Sequence, residues 1–190
     1  MRPGKDGDAA SALDEIDFGA DHFTLFGLAP FFRVDLPALD KRFRELLARV
    51  HPDRFTQAGA SERRASLQWA TRINEAYQTL KIPLSRARYL LDRAGRGVDQ
   101  DNNTVMPPEF LMEQMEWREA VAEARAAREA AELEQLHYRV KQRMNKGYDQ
   151  LAELLDDRRD YAAAAERVRR LMFLEKLLFE IDDAMAALET

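Results

Sequence analysis

From Asp21 to the end of this chain, apolar residues recur at spacings of three and four in almost every segment. No stretch alternates as a strand would, so the pattern admits only helices packed on helices. The predicted fold class is all-α. Residues 1–20 stand apart. They are Gly, Asp, Ala and Ser with few large apolar groups, a composition expected to stay disordered. They also lack the apolar or basic stretch of a leader peptide.

The periodic part divides by charge. Residues 21–93 carry 13 basic and 8 acidic groups, whereas residues 107–190 carry 13 and 19. Two surfaces of opposite sign point to two different partners. The basic half has no base-reading motif, so no nucleic-acid partner is expected. No apolar run approaches the roughly 20 residues needed to span a bilayer, and no membrane partner is expected. Cysteine is absent, which excludes disulfides, thiol nucleophiles and Cys-ligated zinc.

Helix boundaries follow from local chemistry. A short helix through His22–Phe26 should end near Gly27. Asp35 can cap a second helix with Pro37 in its first turn. Leu36, Leu39, Phe43, Leu46, Leu47 and Val50 form its apolar stripe, with Lys41, Arg42, Arg44 and Arg49 off the stripe. Pro52 disfavours helix at His51 and should stop it there. After a loop over residues 51–60, a third helix should start near Ser61 and bury Trp69, Ile73, Ala76 and Leu80. Two such helices around a compact loop make an antiparallel hairpin. A further segment is expected over 85–91, with Pro83 ending the third helix or starting this one. Residues 94–106, rich in Gly, Asp and Asn, read as a linker. Pro107-Pro108 then opens an Ala-, Leu-, Glu- and Arg-rich region with strong helix propensity, expected as helices over about 108–128, 131–156 and 160–188.

His51-Pro52-Asp53 occupies the hairpin loop, after a basic helix and before Ile73-Asn74-Glu75-Ala76-Tyr77-Gln78-Thr79-Leu80. By itself the tripeptide could be a helix stop and a solvated turn. In this setting it resembles the J-domain signature. That resemblance implies docking on a DnaK-type chaperone and triggering of its ATPase. His51, Pro52 and Asp53 would make the triggering contact, and Lys41, Arg42 and Arg49 would speed encounter with an acidic surface. A His/Asp acid–base pair is the rival reading. The loop offers it no nucleophile, phosphate cradle or metal set, so no catalytic residue is assigned.

The helix after Pro108 is amphipathic in an unusual way. With Met112 at the origin, Phe110, Trp117, Val121 and Ala124 fall at about 160°, 140°, 180° and 120°, the core face. Glu116, Glu119 and Glu123 fall at about 40°, −20° and 20°, opposite the core. Met112, Met115 and Leu111 lie beside these carboxylates, away from the core. In the last helix Ala164, Val168, Leu171, Leu174, Leu178, Ile181, Met185 and Leu188 make one stripe. Phe173 lies nearly opposite, among Glu166, Arg169, Lys176 and Glu180. Periodicity leaves two readings open. A second apolar strip can be core in a three-helix bundle, or it can be a patch for a partner.

Four blocks extend the resemblance: Asp21-His22-Phe23-Thr24-Leu25-Phe26-Gly27-Leu28, Pro83-Leu84-Ser85-Arg86-Ala87-Arg88-Tyr89-Leu90-Leu91, Phe110-Leu111-Met112-Glu113-Gln114-Met115-Glu116, and Arg170-Leu171-Met172-Phe173-Leu174-Glu175-Lys176-Leu177. They are similar to the HscB family, J-domain co-chaperones of iron–sulfur cluster assembly, and the likeness spans Asp21 to Leu188. It implies a J-domain at 21–93 and a C-terminal three-helix domain at 107–190, in an elongated two-domain arrangement. It implies two partners, an iron–sulfur scaffold protein (IscU-like) and a dedicated chaperone (HscA-like). By position, Leu111, Met112, Met115, Glu116, Glu119, Glu123 and Phe173 match the family's scaffold-binding surface. The chain is expected to act as a cytoplasmic monomer without cofactor. Some relatives carry a cysteine-rich zinc segment; with no cysteine here, no metal is expected. Two rivals remain, a general J-protein presenting unfolded clients and a purely structural helical adaptor.

Overall fold

The structure, a computed structural model, describes residues 17, 19–98 and 107–188. Most of the expected disordered segment 1–20 and residues 99–106 of the expected linker lie outside the described residues. All regular structure among the described residues is helical: α1 (His22–Leu25), α2 (Leu36–Val50), α3 (Ala60–Lys81), α4 (Pro83–Arg93), α5 (Pro108–Ala126), α6 (Ala130–Ala152) and α7 (Tyr161–Leu188). A 3₁₀ turn, Pro52–Phe55, follows α2, and a π-helical turn, Glu153–Arg158, follows α6. The chain divides into two compact units, residues 1–86 and 87–190. The division falls within α4 rather than after it. Side chains are buried on both sides of it, Leu84 before and Ala87, Leu90 and Leu91 after.

In the first unit the caps set the helix starts. The Asp21 carboxylate accepts hydrogen bonds from the Phe23 and Thr24 N–H groups at 2.9 and 3.1 Å. Gly27, at φ 63°, turns the chain out of α1 in a conformation that disfavours any side chain. Asp35 caps α2 through the Ala38 N–H at 3.0 Å, as its sequence implies. Helix α3 starts within one residue of the expected Ser61, with a different cap. It begins at Ala60, and the Gly59 N–H donates to the Glu62 carboxylate at 2.8 Å. This is the glutamate half of a capping box: Glu62 accepts from the residue before the helix, and glycine has no side chain to return the bond.

Helices α2 and α3 pack antiparallel. Near the start of α2 the Tyr77 hydroxyl donates to Asp40 at 2.8 Å; near its end Ser66 reaches the Val50 carbonyl. The Tyr77 ring stacks on Phe43 at 4.0 Å, and Lys81 donates to the Tyr77 oxygen at 2.8 Å. Trp69, Ile73, Ala76 and Leu80 are all buried, as is Leu39 of α2. Leu36 is 40% exposed and Phe43, Leu46 and Leu47 are half-buried, whereas Leu39 and Val50 are fully buried, so burial along the α2 stripe is uneven. Arg86 is buried and donates to the Leu80 carbonyl at the end of α3, with Phe32 against its guanidinium at 4.9 Å. A charged side chain thus satisfies carbonyls that a helix end leaves open.

The second unit is a bundle of α5, α6 and α7. His137 of α6 lies 3.4 Å from Asp182 of α7, while Gly147 of α6 meets Leu171, so this pair too runs antiparallel. A Cβ on Gly147 would stand 2.8 Å from Leu171 Cδ2, which explains the glycine inside a helix. The α7 stripe departs from expectation in its second half. Leu177 and Ala184 are buried, while Leu178 and Met185 are half-exposed. A long helix keeps 3.6 residues per turn, and a stripe drawn at a 3.5 spacing drifts off its face. Both interhelix breaks place an arginine in the left-handed region, Arg128 at φ 56° and Arg159 at φ 53°. Neither bears a glycine, so the first break was faint in the sequence.

Candidate functional site

The His51-Pro52-Asp53 tripeptide sits where α2 meets the 3₁₀ turn. Pro52 holds the first turn position, and the Asp53 N–H donates to His51 Nδ1 at 3.3 Å. A neutral His51 therefore carries its proton on Nε2. The His51 and Asp53 side chains are 50% and 86% exposed, 3.6 Å apart, and open to a partner. The turn is anchored from beneath. Phe55 is fully buried, and Arg54 donates to the Ala48 and Arg49 carbonyls at 3.4 and 3.3 Å. Ser66, also fully buried, donates to the Val50 carbonyl at 2.7 Å. None of these anchors was singled out from sequence. Phe55 and Arg54 are visible there as the two residues after the tripeptide, but Ser66 has no local signal.

The basic face of α2 is exposed at Lys41, Arg42 and Arg44, with Arg49 half-buried. Glu45 lies among them, 4.0 Å from Lys41 and 3.5 Å from Arg42. Such exposed pairs are weak and solvent-screened, so both cations stay accessible to a competing carboxylate.

In the second unit α5 divides as its wheel predicts. Phe110, Trp117, Val121 and Ala124 are buried. Leu111, Met112 and Met115 are 48%, 62% and 70% exposed, and Glu116, Glu119 and Glu123 are exposed beside them. The apolar cluster is thus surface and not a second core strip. Phe173 differs from that cluster in its burial. It is buried in the α5–α7 seam, edge-on to Phe110 at 5.8 Å, and Arg118 lies over its ring at 5.5 Å. Phe110 and Arg118 of α5 thus cover a ring that the α7 wheel alone places among charged residues, since a guanidinium can lie on an aromatic face while remaining solvated.

Residues 106–182 match the model of the HSCB C-terminal oligomerisation domain. A co-chaperone protein HscB homolog of Azoarcus sp. (strain BH72) is 58% identical over 174 residues, 92% of this chain and 98% of the relative. One from Aromatoleum aromaticum is 54% identical, covering 92% and 99%. The chain belongs to the HscB co-chaperone family. Solved structures agree. HscB from Vibrio cholerae superposes with a TM-score of 0.78 at 38% identity, covering 89% of this chain and 99% of that one. Human co-chaperone HscB gives a TM-score of 0.81 at 31% identity, covering 87% and 82%. The all-helical architecture is therefore that of the HscB family, whose members are co-chaperones rather than enzymes. No helix among the described residues is long and apolar enough to cross a membrane.

Proposed function

We propose that this HscB-family chain binds an iron–sulfur cluster scaffold protein (IscU-like) and delivers it to a dedicated DnaK-type chaperone (HscA-like), whose ATPase it stimulates. The observation that carries the reading is the exposed Leu111, Met112 and Met115 cluster, flanked by Glu116, Glu119 and Glu123, on a helix whose opposite face is fully used in packing. Methionine and leucine adapt to an irregular partner, and the carboxylate rim favours a basic one. Phe173 supports this face from below by fixing Phe110 and Arg118. In the J-domain, expected at 21–93, His51 and Asp53 project from an anchored turn. Lys41, Arg42 and Arg49 would steer encounter with an acidic chaperone surface. ATP is bound and hydrolysed by the partner. Holding the scaffold and triggering hydrolysis together would shift the chaperone towards its tight-binding ADP state, ahead of cluster transfer in the cytoplasm.

The test is ATP turnover by the cognate chaperone with its scaffold present, comparing wild type, His51→Gln and no addition. Stimulation by wild type alone, amplified by the scaffold, is expected. Equal stimulation by unfolded polypeptides would favour a general J-protein. An equally active His51→Gln would remove the tripeptide from the mechanism.

A further inference from the structure

A separate cluster of charge lies where α5, α6 and α7 meet. A cavity of about 30 Å³ is lined by Glu113, Arg143, Arg167 and Arg170 over Phe110 and Leu171. That volume exceeds the ~15 Å³ needed for one water and leaves room for the leading oxygens of a small anion. Arg143 forms part of the lining and is itself 54% exposed, so the cluster reaches solvent.

Two of the three arginines are committed. Arg143 pairs with Glu113, and Arg170 pairs with Glu166 at 2.8 Å while lying 5.0 Å from the Phe110 ring. Arg167 is half-buried and has no ion pair or hydrogen bond among the described residues. Its guanidinium holds its proton less firmly than usual, chiefly because of burial and then because of the Arg170 charge, with Arg143 adding to the effect and Glu166 and Glu113 opposing it in part. Three guanidinium groups against two carboxylates leave one positive charge uncompensated. This occurs inside a unit whose sequence is otherwise acidic. A partly desolvated, unpaired charge is costly, and an incoming anion relieves that cost. The planar fork of arginine suits carboxylate and phosphate oxygens.

We propose that Arg143, Arg167 and Arg170 form a binding site for a small oxyanion, with Arg167 supplying the uncommitted fork. The site does not depend on the function proposed for the exposed Leu111, Met112 and Met115 side chains.

The experiment is thermal unfolding of the full chain in increasing inorganic phosphate and, separately, acetate, with ionic strength held constant by chloride. A ligand that binds only the folded state raises Tm along a saturating curve. Saturation with phosphate assigns a tetrahedral oxyanion, and saturation with acetate alone assigns a carboxylate. Arg167→Gln is expected to abolish the saturating response, and Arg125→Gln, at an exposed arginine of α5, to keep it. Arg167→Lys keeps the charge without the fork and should move half-saturation to at least fivefold higher anion concentration; it serves as the test should Arg167→Gln not fold. A non-saturating rise shared by wild type and Arg167→Gln reflects general exclusion of phosphate from protein surfaces and overturns the proposal. So does a saturating response that survives either Arg167 substitution unchanged.

Discussion

The hydroxyl of Ser66, fully buried in α3, donates a 2.7 Å hydrogen bond to the carbonyl of Val50, the last residue of α2. This bond ties the residue before His51 to the opposite helix of the hairpin. It satisfies a carbonyl that the end of α2 leaves without an intrahelical partner. Ser66→Ala would strand that buried acceptor and is expected to cost about 1–3 kcal/mol. Thermal unfolding should show a lower Tm. At a temperature where the variant is folded, stimulation of the partner chaperone should also fall, because the turn carrying His51 loses its tether. An unchanged Tm would show that water replaces the hydroxyl.

The surface residues of α5 and the seam residue Phe173 should separate in a mutational test. Leu111→Ala with Met115→Ala removes exposed side chains, so Tm should stay near wild type while scaffold affinity falls, by ~2 kcal/mol or more if both are hot spots. Phe173→Ala removes a buried ring and is expected to cost about 3–5 kcal/mol of stability. Calorimetric titration beside thermal unfolding distinguishes them. A large loss of stability in the double variant would mean that these side chains pack rather than bind.

Gly147→Ala presents two opposed effects. Alanine gains roughly 1 kcal/mol in helix propensity. Its Cβ would stand 2.8 Å from Leu171, which is 1% exposed and confined by its neighbours. Overpacking of this kind costs about 1–3 kcal/mol, so the net expectation is a lower Tm. Pairing it with Leu171→Ala should recover part of the loss, and simple additivity of the two would remove the steric explanation.

Arg159 closes the π-helical turn at φ 53° without a glycine. The left-handed conformation costs a non-glycine residue roughly 1–2 kcal/mol. Glycine removes that cost but gives back some entropy in the unfolded chain, so Arg159→Gly should raise stability by a few tenths to about 1 kcal/mol. Chemical denaturation would measure the change, and a fall in stability would show that the arginine side chain contributes more than its backbone strain.

Much of this molecule is written in short-range chemistry. Asp35 and Pro37 start α2, Pro52 ends it, and Gly27 ends α1, because each acts on backbone groups within a turn of itself. The two-faced character of α5 was also legible. Phe110, Trp117, Val121 and Ala124 share one side of an ideal helix, and no neighbour is needed to compute that angle. Whether the other side was core or surface was not determined, since an angle about one axis does not say what lies across from it. Tertiary structure decided that Leu111, Met112 and Met115 face solvent and that Phe173, equally displaced from its stripe, does not. It decided the Ser66–Val50 bond, which joins residues sixteen apart, and the gathering of Arg143, Arg167 and Arg170 from two helices around one cavity. Sequence period specifies which way a side chain leaves its helix; only the packed bundle determines which side chain, or which solvent, it meets.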